Sequence, residues 1–111
     1  MRIDHNDAGN KMVVRVNGRV DTVNAAEFER ICMEQVQGAD RGVVLELSGL
    51  EYISSAGLRA VLAMAKRLKA QNRSLTLCCM SGMVKEVFDI AGFDRMLPIT
   101  ETLDEALGAG D

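Results

Sequence analysis

Two serines stand side by side at Ser54 and Ser55, followed directly by Ala56 and Gly57, where a short apolar run gives way to helical periodicity. A serine at a helix start has two uses. Its oxygen can accept a bond from a free backbone N–H and cap the helix, a role whose loss to alanine costs about 1 kcal/mol. It can also take a phosphoryl group, because the free N–H groups and the helix dipole favour an anion at that end. Phosphorylation would add about −1.5 to −2 charge, and the small Ala56 and Gly57 leave room for an enzyme to approach the backbone. On local sequence both readings stay open.

The following stretch is basic. From Tyr52 through Lys85 there is no acidic residue, but there are Arg59, Lys66, Arg67, Lys69, Arg73 and Lys85. Residues 52–73 sum to +5, against −5 for 21–51 and −5 for 74–111. Leu58, Val61, Leu62, Ala65 and Leu68 recur at helical spacing and form the expected core stripe. Ala56, Ala60, Ala63 and Arg67 lie opposite it, a flat alanine surface edged by arginine that suits close packing against another protein. A solvated basic face is the plainer alternative. Arg59, four residues after Ser55, falls within reach of a phosphate there.

Other chemistry is sparse. Cys32, Cys78 and Cys79 are an odd count without an export signal, so reduced thiols are expected rather than a disulfide framework. Cys32 falls on an apolar helical stripe and reads as a small core residue. Cys78 and Cys79 are neighbours in a predicted strand, where side chains alternate between faces. Packing is therefore their expected role, and a vicinal redox pair the alternative. Zinc sites want about four Cys/His ligands at short spacings, which are missing here. His5 is the only histidine, with no nucleophile close in sequence. No glycine-rich phosphate loop or zincin helix occurs. These residues argue for a binding protein without a cofactor or metal rather than an enzyme.

The 111 residues are 48% hydrophobic and 26% charged, enough for one domain with its own core but not for two. A net charge of −3 and only four aromatic residues argue against nucleic-acid binding. The longest aliphatic run, residues 60–65, is far short of the ~20 residues that span a bilayer. The start, residues 1–8, has no apolar signal segment, so no membrane insertion and a cytosolic location are expected.

Around these residues the pattern alternates between short extended runs and amphipathic helices. A first strand holds Ile3, residues 7–10 are turn chemistry, and residues 11–16 form a second strand closed by Asn17-Gly18. The short turn makes that pair antiparallel. Asn24 and Glu27 have the spacing of a capping box before a helix with Phe28, Ile31, Cys32 and Val36 on one face and Gly38 as its stop. Residues 43–47 and 75–79 read as strands. Ser81 opens a helix with Val84, Val87, Phe88 and Ala91 inward, ending at Gly92 with Phe93 over its end. Residues 95–99, with the only proline, read as an edge strand, and Thr102 with Glu105 as a second capping box. Strand–helix–strand units of this length demand parallel pairing with right-handed crossovers. The expected architecture is an α/β domain with a mostly parallel mixed sheet of about five strands, an N-terminal antiparallel hairpin strand and about four helices. In such sheets sites gather at the carboxyl ends of strands. There the chain places Asp21-Thr22-Val23-Asn24, Tyr52 through Gly57, and Ser81-Gly82.

The stretch from Leu47 to Leu62, LSGLEYISSAGLRAVL, resembles the signature of STAS domains, specifically bacterial anti-sigma-factor antagonists. Gly18-Arg-Val-Asp21 and Val84-Lys-Glu-Val-Phe-Asp-Ile-Ala-Gly-Phe93 extend the likeness over essentially the whole chain, read as one STAS domain over residues 1–111. The resemblance implies a β/α superhelix with helices mainly on one face, and a function by partner switching. An unphosphorylated antagonist binds an anti-sigma factor, a serine kinase of the histidine-kinase-like ATPase fold, and releases the sigma factor. Phosphorylation on one serine dissolves the complex, and a PP2C-type phosphatase resets it. In the commonest motif the acceptor follows an aspartate and precedes Ser-Gly. Aligned on Gly57 and Leu58, the acceptor falls on Ser55; Ser54 replaces the aspartate, which makes it the second candidate, and Ala56 replaces the second serine. Asp21 matches an acidic position in the neighbouring loop and is expected to act in docking or loop geometry, alongside Thr22 and Asn24. A non-switching STAS subunit of a lipid-transporting ABC complex is the alternative within the fold, and a thiol-dependent enzyme using Cys78 and Cys79 the alternative outside it.

Overall fold

In a computed structural model, which describes residues 1–108, the chain forms one mixed sheet with helices on both sides. A hairpin of β1 (Arg2–Ala8) and β2 (Lys11–Val20) starts it, followed by α1 (Ala25–Gln35), β3 (Gly42–Glu46), β4 (Leu50–Ile53) and α2 (Ser55–Ala70). Then come β5 (Leu75–Cys78), α3 (Gly82–Ile90), a 3-10 turn (Phe93–Arg95), β6 (Ile99–Thr100) and α4 (Leu103–Gly108). The sheet order is β1-β2-β3-β5-β6, with β4 pairing β2. Among the described residues only β1 and β2 run antiparallel, as the short turn between them requires.

The parallel strands are buried on both faces, which is why they read as nearly unbroken apolar runs. Their alternation divides the core. Met12, Val14 and Val16 of β2, Val43 and Leu45 of β3, and Leu75 and Leu77 of β5 face one side, packing with Phe28, Val61, Met64, Leu68 and Phe88 from α1, α2 and α3. Val13, Val44 and Cys78 face the other, under Ala106 of α4. Three helices thus share one face and α4 alone takes the opposite one. Lys11 is buried to 1% exposure, its Nζ donating to the Ala106 carbonyl at 3.3 Å. The Phe88 and Phe93 rings meet edge to face at 5.0 Å, so Phe93 covers the end of α3 as expected. Gly92 supplies the left-handed turn between them with φ +80°.

Several expectations need correction. The described residues form six strands, because β4 is a strand in its own right where the sequence suggested only a lead into α2. β2 runs on through Asn17-Gly18 to Val20: beyond Arg15 it leaves β3, and from Gly18 it pairs with β4, with a register shift between Gly18 and Arg19. The edge strand expected over residues 95–99 is a 3-10 turn followed by the two-residue β6, since Pro98 lacks the N–H that a strand there would need. Asn24 makes no side-chain bond to α1, so the first capping box does not form. The second does: the Glu105 N–H donates to Thr102 Oγ1 and the Thr102 N–H to Glu105 Oε1, both at 3.1 Å. Cys79 lies outside β5, with φ +68°. The buried stripe of α2 is Gly57, Ala60, Val61, Met64 and Leu68, rotated from the expected one toward the smaller side chains.

Candidate functional site

The expected site forms where β2 and β4 end side by side. Val20 is in register with Ile53, and the Ser54 N–H donates to the Val20 carbonyl at 2.9 Å. That one pairing brings two junctions distant in sequence together: the turn after β2, holding Asp21 to Asn24, and the start of α2, holding Ser54 and Ser55.

The turn is fixed by its own side chains. Asp21 Oδ1 accepts from the Val23 N–H at 2.9 Å and the Asn24 N–H at 3.0 Å. In return Asn24 Oδ1 accepts from the Asp21 N–H at 2.8 Å, while its Nδ2 donates to the Arg19 carbonyl at 3.0 Å. This Asx-type lattice is how Asp21 shapes the loop. It leaves Thr22 exposed and holds Val23 out at 93% exposure.

The serines divide the two roles. Ser54 is buried and extended (φ −85°, ψ 171°), its Oγ accepting from the Gly57 N–H at 3.2 Å; it is the N-cap. Ser55, the first residue of α2, is exposed. The first-turn N–H groups have no carbonyl partners within the helix, so the dipole's positive end lies at the Ser55 side chain. Substituting Ser54→Ala is expected to destabilise the fold by about 1 kcal/mol, read by chemical denaturation, while leaving the Ser55 hydroxyl in solvent.

Gly57 makes this arrangement possible. A Cβ there would lie 2.6 Å from Ile53 Cγ1 and 2.9 Å from Val20 Cγ1, both buried side chains. Only glycine lets α2 begin this close to the ends of β2 and β4.

Other expected contact residues lie elsewhere. Gly57 and Ala60 are beneath the surface, and Ala56 and Ala63 are half-buried, so no flat alanine face is presented to a partner. That side of α2 turns toward α1: Arg67 pairs with Glu29 of α1 at 3.4 Å. Arg67 is also twelve residues from Ser55, roughly 18 Å along the helix axis. Arg59 is exposed one turn beyond Ser55.

The structure gives two residues of the expected junctions a definite place. Tyr52, 41% exposed on β4, carries the Arg19 guanidinium 4.4 Å above its ring, in line with their pairing in register. Val23 supplies an apolar tip. β4's short apolar–polar–polar–apolar pattern gave no strand signal, and nothing in the sequence marked Val23 as outward. Among the described residues, no group of three or more His, Cys, Asp or Glu is placed to hold a metal ion, and no helix is long and apolar enough to cross a membrane.

The chain's sequence and fold are shared with known proteins. The STAS domain family model matches residues 2–106. A Bordetella bronchiseptica protein named as an anti-sigma factor antagonist, BtrV, is 37% identical over 109 residues, covering 98% of this chain and 94% of its own. Among solved structures, a Thermotoga maritima protein named as an anti-sigma factor antagonist superposes with a TM-score of 0.86 at 20% identity, over 96% of this chain and 92% of its own. The anti-sigma factor antagonist SpoIIAA, in its unphosphorylated form, superposes with a TM-score of 0.67 at 19% identity, over 96% of each chain. With the family model matching nearly its whole length and a 37% identical relative covering 98% of it, the chain belongs to the STAS domain family.

Proposed function

We propose that the chain is an anti-sigma-factor antagonist that works by partner switching, with Ser55 as its phosphoacceptor. The observation that carries this reading is the division of labour between the serines: Ser54 is buried as the cap, and Ser55 is exposed beside a turn locked by Asp21. Support also comes from BtrV, named as an anti-sigma factor antagonist, and from SpoIIAA, whose structure is that of an unphosphorylated form.

In its unphosphorylated state the antagonist docks this surface on an anti-sigma factor, a serine kinase of the histidine-kinase-like ATPase fold. Thr22, Val23, Ser55 and Arg59 supply exposed contacts, and Asp21, Asn24, Ser54 and Gly57 hold them in shape. The kinase then catalyses attack by Ser55 Oγ on the γ-phosphorus of ATP; ADP leaves and the hydroxyl proton passes to a base of the kinase. The phosphate stays compatible with the fold, because the first turn of α2 stabilises an anion. It opposes docking by its charge and bulk. A PP2C-type phosphatase removes it. On this reading the domain, residues 1–111, works in the cytosol and catalyses nothing itself. Residues 109–111 of that span lie outside the described residues.

The test is capture from a cell lysate with and without ATP, followed by phosphosite mapping. A kinase-like partner retained without ATP and released with it, leaving phosphate on Ser55, is the expected result. Ser55→Asp should weaken kinase binding at least tenfold, about 1.4 kcal/mol, by calorimetry. Capture of a transporter ATPase with no phosphate on Ser55 would overturn the proposal in favour of the lipid-transport subunit.

A further inference from the structure

The mechanism above leaves one cluster of nucleophilic side chains unused. Cys78 and Cys79 are adjacent, and in a continuous strand their sulfurs would lie on opposite faces. The structure departs from that geometry. β5 ends at Cys78, and Cys79 takes φ +68°, a left-handed conformation uncommon for a residue other than glycine. The turn brings its side chain back toward its neighbour, so that the two Sγ atoms stand 2.9 Å apart.

Neighbouring strands hold both residues in place. The Cys78 carbonyl accepts from the Leu47 N–H at 3.0 Å, and the Cys79 N–H donates to the Thr100 carbonyl at 3.3 Å. Access to the two sulfurs differs. Cys78 is fully buried among Val13, Val44 and Ala106, whereas Cys79 is half-buried at the rim of that cluster. Burial and the adjacent thiol push the Cys78 thiol above its ordinary range. Solution reagents therefore meet Cys79 first.

We propose that Cys78 and Cys79 form a reversible oxidative modification site whose substrate class is the hydroperoxides and whose product is an intramolecular disulfide between the two neighbours. In the first step the Cys79 thiolate attacks one peroxide oxygen. The O–O bond breaks, the departing oxygen takes up a proton to leave as water or an alcohol, and Cys79 becomes a sulfenic acid. In the second step Cys78 Sγ attacks Cys79 Sγ. The S–O bond breaks, and the departing hydroxide takes the Cys78 thiol proton to leave as water. The two thiols together lose two electrons and two protons, and the hydroperoxide is reduced. Two equivalents of a small thiol reverse the change. Because its resolving partner is already in contact, Cys79 is diverted from irreversible oxidation. This site is independent of phosphorylation at Ser55.

Cys32 is the internal control. It is 2% exposed on α1, and burial pushes its thiol up to about 12.

The experiment uses the reduced chain, treated with hydrogen peroxide and followed by intact mass and by alkylation with N-ethylmaleimide after denaturation. The expected result is a monomer lighter by two hydrogens, with alkylatable thiols falling from three to one, fully restored by dithiothreitol. Cys32→Ala should lose the same two thiols, falling from two to none. Cys78→Ser should stop at a sulfenic acid on Cys79 that dimedone traps, and Cys79→Ser should keep both remaining thiols. Three alkylatable thiols after peroxide treatment that fully oxidises free glutathione would overturn the proposal. So would a product that is mainly sulfinic acid at Cys79, or a disulfide linking two chains.

Discussion

Replacing Ser55 with alanine is expected to reduce kinase-dependent phosphate incorporation to background, while the chain keeps its fold and still binds the kinase. The reasoning is geometric. Ser55 is exposed, and its hydroxyl is not the one that closes the helix, since the Gly57 N–H is satisfied by Ser54. Losing the Ser55 hydroxyl therefore costs little stability: surface changes away from caps and core fall within about ±0.5 kcal/mol. All of the loss falls on the acceptor. Incorporation of radiolabelled phosphate with purified kinase, read beside thermal unfolding, separates the two effects. Undiminished phosphate on Ser55→Ala would move the acceptor to Ser54, which would first have to leave its buried capping position.

The largest structural effect is expected at Gly57. In Gly57→Val the new Cβ alone would sit 2.6 Å from Ile53 Cγ1 and 2.9 Å from Val20 Cγ1, and two methyl groups would follow it into the same gap. Ile53 and Val20 are 5% and 0% exposed, so neither has free space into which to turn. Overpacking of this kind costs about 3 kcal/mol, at the upper end of its usual range. For a chain of this size that lowers the melting temperature by about 10 to 15 °C, measurable by circular dichroism. Because relief comes from lifting the start of α2, kinase binding should also fall, even though Gly57 itself is buried. Gly57→Ala should show a smaller loss, partly offset by roughly 1 kcal/mol of better helix propensity. An unchanged melting temperature in both variants would show that α2 can begin further from the strand ends than it does here.

These two residues also show what could be read from the sequence. The strand–helix order was legible because β2, β3 and β5 are short runs buried on both faces, while α1 and α2 carry strong 3.6-residue periodicity. That Ser55 and the Asp21 turn both lie at carboxyl ends of strands was legible from the parallel sheet, but their adjacency came only from the family resemblance, because it depends on β4. The rotation of α2 was not, because Gly57 and Ala60 are small and weakly apolar, and their burial depends on how closely β4 approaches. β4 itself is four residues long, with Glu51 and Tyr52 both exposed, and offers neither period clearly. Asn24 had the right type and spacing for a cap, yet its side chain is spent on the Asp21 N–H and the Arg19 carbonyl. The left-handed turn at Cys79 leaves no trace in residue type, because the residue is not glycine.

The position of β2 has a consequence for how the molecule comes apart. Residues 11–15 bond to β3, residues 18–20 bond to β4, and residues 11–17 bond to β1 along the opposite edge. No neighbour can detach without exposing amides on this strand, so its central N–H groups exchange with solvent deuterium only on global opening. The two-residue β6, which pairs only with β5, can fray without disturbing it. The kinetic hierarchy of the domain is thus written around one strand, and the cap of α2 is bonded to that strand's last residue, Val20.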